Sequence, residues 1–219
     1  DFNKSVLFFP LVGFVIGLIL MAVDYVWLFI LPEIAPLMTV LTMVLVTGGL
    51  HLDGLGDTFD GLYSNRGKER VLEIMKDSRL GTNAALALIF LILCKIYIIS
   101  AMNVDFNVFS VLLFAPVFAR LNVVLACRVA KPARSHGMGN LFIGQVDNKQ
   151  LVIALITAFV PGIFYPKLLI AGLITSAFSF VYVKHVTNKI DGMTGDTIGA
   201  LVELSELLFL FISAILLRF

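Results

Sequence analysis

Three aspartates fall within eight residues of this chain, in His51-Leu-Asp53-Gly-Leu-Gly-Asp57-Thr-Phe-Asp60-Gly61. On a helix, steps of four and three place Asp53, Asp57 and Asp60 within about 60° of one another on one face. Like charges so placed repel, and a divalent cation or a set of protons relieves the repulsion. An all-oxygen ligand set suits Mg²⁺ or Mn²⁺, and Mg²⁺ usually divides its coordination between carboxylates and substrate phosphates. The pattern therefore predicts phosphoryl chemistry with Asp53, Asp57 and Asp60 as metal ligands.

Other polar stretches supply partners for such a site. In Asp191-Gly-Met-Thr194-Gly-Asp196-Thr-Ile-Gly199, followed by Glu203 and Glu206, Asp196 and Glu203 share a helix face. They either complete a two-metal site or cap a helix and pair with neighbouring helices. Lys76-Asp77-Ser-Arg79 closes a short amphipathic stretch over 67–79, just before an apolar run whose N-terminus and adjacent cations form a natural anion site. The basic, glycine-containing stretch Arg128-Val-Ala-Lys131-Pro-Ala-Arg134-Ser-His136-Gly-Met-Gly139 can approach a pyrophosphate closely. Lys76, Arg79, Arg128, Lys131 and Arg134 are thus candidate phosphate-binding residues, although charges that merely set membrane topology would look alike. Two cations interrupt apolar runs: Arg120 neutralises the acidic cluster or holds a phosphate, and Lys95 snorkels or pairs structurally. His51 lies about 160° from Asp53 on an unbroken helix, and joins the carboxylates only if the helix breaks at Gly48-Gly49 or Gly54.

The elements that position these residues are membrane helices. Of 219 residues, 59% are hydrophobic and 14% charged, against roughly 25% charged in soluble domains. Apolar runs of spanning length occur at 8–31, 34–50, 84–102, 106–126, 150–166, 168–183 and 199–217. The expected fold is an all-α, polytopic membrane bundle of about seven helices in a single domain, 1–219, with Gly13 and Gly17 forming a GxxxG packing motif in the first span. Twelve of the 16 Lys and Arg fall in segments 1–7, 51–83, 127–149 and 184–198. By the positive-inside rule those segments are cytoplasmic, and they include all four polar stretches. A net charge of +1 gives no reason to expect nucleic acid, and Cys94 and Cys127 have no metal-like spacing.

Gly48-Gly-Leu-His51-Leu-Asp53-Gly-Leu-Gly-Asp57-Thr-Phe-Asp60-Gly61, continued by Glu73-Ile-Met-Lys76-Asp77-Ser-Arg79-Leu-Gly81-Thr82, resembles the signature of the cobalamin synthase (adenosylcobinamide-GDP ribazoletransferase) family. The Phe8-Phe-Pro-Leu-Val-Gly13 opening and the Gly192–Ala200 stretch with Glu203 are similar to that family too. The resemblance implies transfer of α-ribazole, or its 5′-phosphate, to adenosylcobinamide-GDP with release of GMP, at the cytoplasmic face of the cell membrane. It implies Mg²⁺ held by Asp53, Asp57, Asp60 and Asp196, with Asp196 and Asp60 in catalytic roles. A homo-oligomer is compatible with it. The chain also resembles CDP-alcohol phosphotransferases in its membrane-edge aspartates, but Asp57-Thr58 stands where that signature has Ala-Arg. A cation transporter would place its acidic residues near mid-membrane.

Overall fold

The computed structural model describes residues 2–103 and 108–218. Among them are nine α-helices: α1 (Phe9–Ile30), α2 (Ala35–Thr47), α3 (Leu50–Leu62), α4 (Lys68–Ile74), α5 (Thr82–Met102), α6 (Val108–Val129), α7 (Asn148–Gly162), α8 (Pro166–Ile190) and α9 (Gly195–Arg218). No strand occurs among the described residues, and one isolated bridge joins Pro132 to Met193.

Each predicted apolar run is a helix, but length separates them. With the 3₁₀ turn that leads into it, α1 is long and apolar enough to cross a bilayer, as are α5, α6, α8 and α9. The bent pair α2 and α3, which meet at 89°, passes the same length and hydropathy criteria only as a pair, as a broken span or a re-entrant loop does. Gly48 and Gly49 make that bend at φ 61° and 73°, left-handed values that glycine adopts without a Cβ clash. We read α3 as a helix laid across the end of the bundle, over the starts of α5 and α9. Five long helices and the bent pair are roughly consistent with the expected count of about seven; α7, with 15 residues, reaches about 22 Å of a hydrocarbon core near 30 Å. Residues 106 and 107 of the fourth predicted run, and 1, 104–107 and 219 of the single-domain reading, lie outside the described residues.

The bundle is built around α6, whose side chains are buried on nearly every face. Gly13 and Gly17 of α1 lie directly on the α6 backbone at Pro116 and Leu113, where any Cβ would overlap it. In lipid, such small-residue contacts replace the hydrophobic effect as the source of helix association. Asn122 on α6 donates to the Thr175 carbonyl on α8 at 3.1 Å and to Ser205 Oγ on α9 at 3.0 Å. Tyr182 Oη donates to the Thr197 carbonyl at 2.9 Å, tying α8 to α9. Large apolar residues such as Leu18, Val26, Phe90 and Val181 stand exposed on the helix surfaces, as an acyl-chain solvent allows.

The chain directions bring all four polar stretches to one end. There the backbone of Met193 donates to Lys131, that of Ala133 donates to Met193, and Lys68 pairs with Asp191 at 3.0 Å.

Candidate active site

Helix α3 crosses the first turns of α9 through glycines on both helices. A Cβ on Gly54 would stand 2.7 Å from the Asp196 carbonyl oxygen, and one on Gly199 would stand 3.4 Å from His51 Cα. This near-contact sets the α3 carboxylates beside Asp196. Burial first, then the charges of Asp53, Asp196 and Asp60, push the Asp57 carboxyl up to about 6. Asp196 is steadied from the other side, because Arg134 Nη2 and Thr194 Oγ1 both donate to its Oδ2 at 3.3 Å. Among the described residues no group of three His, Cys, Asp or Glu side chains is arranged to hold an ion by itself.

Asp60 is used differently from Asp53 and Asp57. Its oxygens accept the backbone amides of Gly81 at 2.6 Å and Ala84 at 2.9 Å, so it caps α5 from a neighbouring helix. A carboxylate on otherwise orphaned N-terminal amides also complements the helix dipole. Gly81 admits it closely, since a Cβ there would lie 2.5 Å from Asp60 Oδ1.

Asp53 and Asp196 open onto a cavity of about 760 Å³ between α1, α3, α6 and α9. Arg134, His136, Asn140 and Thr194 line it as well, and so do His51 and Arg120. The Gly48-Gly49 break is what brings His51 there. Burial, reinforced by Arg120, holds its imidazole down to about 4, so it is neutral near pH 7. Beneath lies a buried ion network. Lys95 Nζ bonds Glu203 Oε2 at 2.7 Å and Glu206 Oε2 at 2.8 Å, and Arg120 Nη1 bonds Glu206 Oε1. The charges of these four side chains cancel.

A family model for cobalamin-5-phosphate synthases matches residues 1–214. The adenosylcobinamide-GDP ribazoletransferase of Alkaliphilus metalliredigens is 47% identical over 206 residues, covering 94% of this chain and 82% of that protein. The proteins of the same name from Clostridioides difficile (44% over 223 residues; 96% and 86% covered) and Caldanaerobacter subterraneus (40% over 220 residues; 96% and 87% covered) are similar along the same extent. The chain belongs to the cobalamin-5-phosphate synthase family. No solved structure matches it.

In this synthase, the basic residues singled out by sequence divide by their partners. Arg134 is at the cavity, on Asp196. Arg128 donates to the Val146 carbonyl at 2.9 Å and to Asn148 Oδ1 at 2.8 Å, fastening the return of the 130–147 loop. Exposed Arg79 chelates Asp77 and holds that carboxyl down to about 2. Lys76 and Lys131 are exposed at the same end of the bundle. His136, Asn140 and Thr194 were not picked out as site residues. Their signal was position alone, within the glycine-containing stretches that fold over Asp196.

Proposed function

We propose that this synthase is an adenosylcobinamide-GDP ribazoletransferase that requires Mg²⁺. A hydroxyl of α-ribazole, or of its 5′-phosphate, attacks the phosphorus attached to cobinamide. A new P–O bond forms, the P–O bond to GMP breaks, and the hydroxyl proton passes to a carboxylate. The observation that carries this reading is the meeting of Asp53 of α3 with Asp196 of α9 on one cavity, with Asp57 close enough to feel both charges.

An oxygen-only donor set, with enough crowding to lift Asp57 to about 6, fits a divalent cation that relieves the repulsion. Mg²⁺ keeps several waters and substrate oxygens, so two or three carboxylates are sufficient protein ligands. Asp53 and Asp196 would hold it, with Asp57 beside them, and when bound it would offset charge on the pyrophosphate. Asp196 is the candidate base, with Arg134 orienting it and facing the phosphates. Asp60 acts as a positioning residue by fixing α5 against α3. Lys76, Arg128 and Lys131 make the same end of the bundle basic, which attracts the anionic substrate, while the charge of Arg79 is offset by Asp77. The positive-inside pattern supports a multi-pass protein of the cell membrane with this mouth toward the cytoplasm. In a cation transporter, carboxylates at depth would be the transport site, and here Glu203 and Glu206 are neutralised by Lys95 and Arg120.

The test is a product assay with purified, detergent-solubilised protein, adenosylcobinamide-GDP and α-ribazole. Equimolar GMP and adenosylcobalamin should form with Mg²⁺ and cease with a chelator. Absence of cobalamin product, or full turnover in the chelator, contradicts the proposal.

A further inference from the structure

The cavity is deeper than phosphoryl transfer alone needs. Asp196 and Val202 both line it on α9, which carries it about 9 Å past the carboxylates at 1.5 Å per residue. The other walls have the same depth, from Phe9 to Ile16 on α1 and from Cys127 to Arg120 on α6. Its inner end is Ile16, Val123, Val202 and Arg120, with the neutral His51 close enough to feel the Arg120 charge.

That inner end is poorly suited to a phosphate. Arg120 is its cation, and Glu206, Glu203 and Lys95 cancel the charge within the network. It is also poorly suited to guanine, whose several polar edge atoms would find Arg120 and His51 as partners and hydrocarbon elsewhere. A flat, neutral, apolar ring matches it. Ile16, Val123 and Val202 are each less than a tenth exposed, so the gain is the ring's own hydrocarbon leaving water, and the ring can stack on the guanidinium that Glu206 anchors.

We propose that the inner end binds the aromatic base of the incoming nucleoside. The nucleoside enters base first, which leaves its ribose at Asp53 and Asp196 and its phosphate, if present, at Arg134. The assignment rests on the transferase reading and adds to it a selection for flat bicyclic bases with few polar edge atoms. The guanine of the other substrate then stays outside the chamber.

The test uses the full-length protein in detergent, with α-ribazole binding followed by the fluorescence of its base and GMP binding by equilibrium dialysis. Val202→Phe fills the inner end and should weaken α-ribazole binding by at least about tenfold, with GMP binding unchanged. Val202→Ala removes hydrocarbon without adding bulk and should weaken it about threefold to tenfold, which keeps the test valid if the larger residue prevents folding. Unchanged α-ribazole affinity in the folded variants, or a loss of GMP affinity in its place, overturns the assignment. Wild-type protein that binds α-ribazole and loses it with Val202→Phe, yet forms no cobalamin product, would uphold the chamber and overturn the transferase reading instead.

Discussion

Gly54 on α3 and Asp196 on α9 meet backbone to backbone: a Cβ at residue 54 would lie 2.7 Å from the Asp196 carbonyl oxygen and 3.1 Å from its Cα. Neither atom can swing aside as a flexible side-chain end would. The close crossing of two helices, and with it the spacing of their carboxylates, depends on one missing methyl group.

Gly54→Ala should therefore move α3 off α9. The expected destabilisation is about 1–3 kcal/mol, and a displacement of about 1 Å at the carboxylates can cost turnover about a hundredfold. Thermal unfolding and kcat of the purified variant measure the two effects. A fully active, equally stable Gly54→Ala protein would show that the crossing is not tight.

Asp57 gives the pH dependence. Its carboxyl is raised from 3.8 to about 6, so protons compete with a cation there. Apparent Mg²⁺ affinity should weaken as pH falls through about 6 and level off above it. For stability the sign is opposite. A raised carboxyl favours the protonated fold, so this contribution is present below the unfolded value and is lost as pH rises through about 6. Metal-free Asp57→Asn should then melt higher than metal-free wild type at neutral pH, and Mg²⁺ should raise the melting temperature of wild type more than that of the variant. Equal Mg²⁺ responses in the two proteins would remove Asp57 from the site.

The buried network predicts a steep penalty for taking one member away. Lys95→Met leaves Glu203 and Glu206 facing Arg120 alone, with Lys95 and both glutamates each less than a tenth exposed. Breaking such a pair costs about 3–5 kcal/mol. Adding Glu203→Gln should recover part of the loss, because it restores neutrality. Thermal unfolding of the single and double variants decides it, and a double variant weaker than Lys95→Met would contradict the charge balance.

Orientation is testable with introduced cysteines. One at Asn65, between α3 and α4, should label from the cytoplasm, and one at Asn103, at the far end of α5, from the opposite side. Labelling of both from one side would contradict the through-membrane path of α5.

The apolar runs and the acidic face of α3 were legible because both are local periodicities. The end of the bundle where the site lies was legible too, from the distribution of Lys and Arg. What each polar group bonds was not legible, since the partners are distant in sequence. Asp60 looked equivalent to Asp53 and Asp57 on a helical wheel, yet its partners are amides 21 and 24 residues away. Arg120 read as a neutraliser of the acidic cluster or a holder of phosphate, and its carboxylate is Glu206, 86 residues on. Lys95, read as snorkelling or pairing, pairs with both glutamates. His51 turned on whether Gly48-Gly49 breaks the helix, a choice that packing makes and propensity leaves open.

The central claim is that carboxylates from α3 and α9 act as one site, and a double-mutant comparison of kcat tests it most directly. Asp57→Asn and Asp196→Ala should each remove most of the turnover at saturating substrate and Mg²⁺. Combined, they should be scarcely worse than the worse single variant, because members of one catalytic unit are not additive. Losses that multiply, or a fully active Asp196→Ala protein, would contradict a shared site and leave the α9 motif with a structural role.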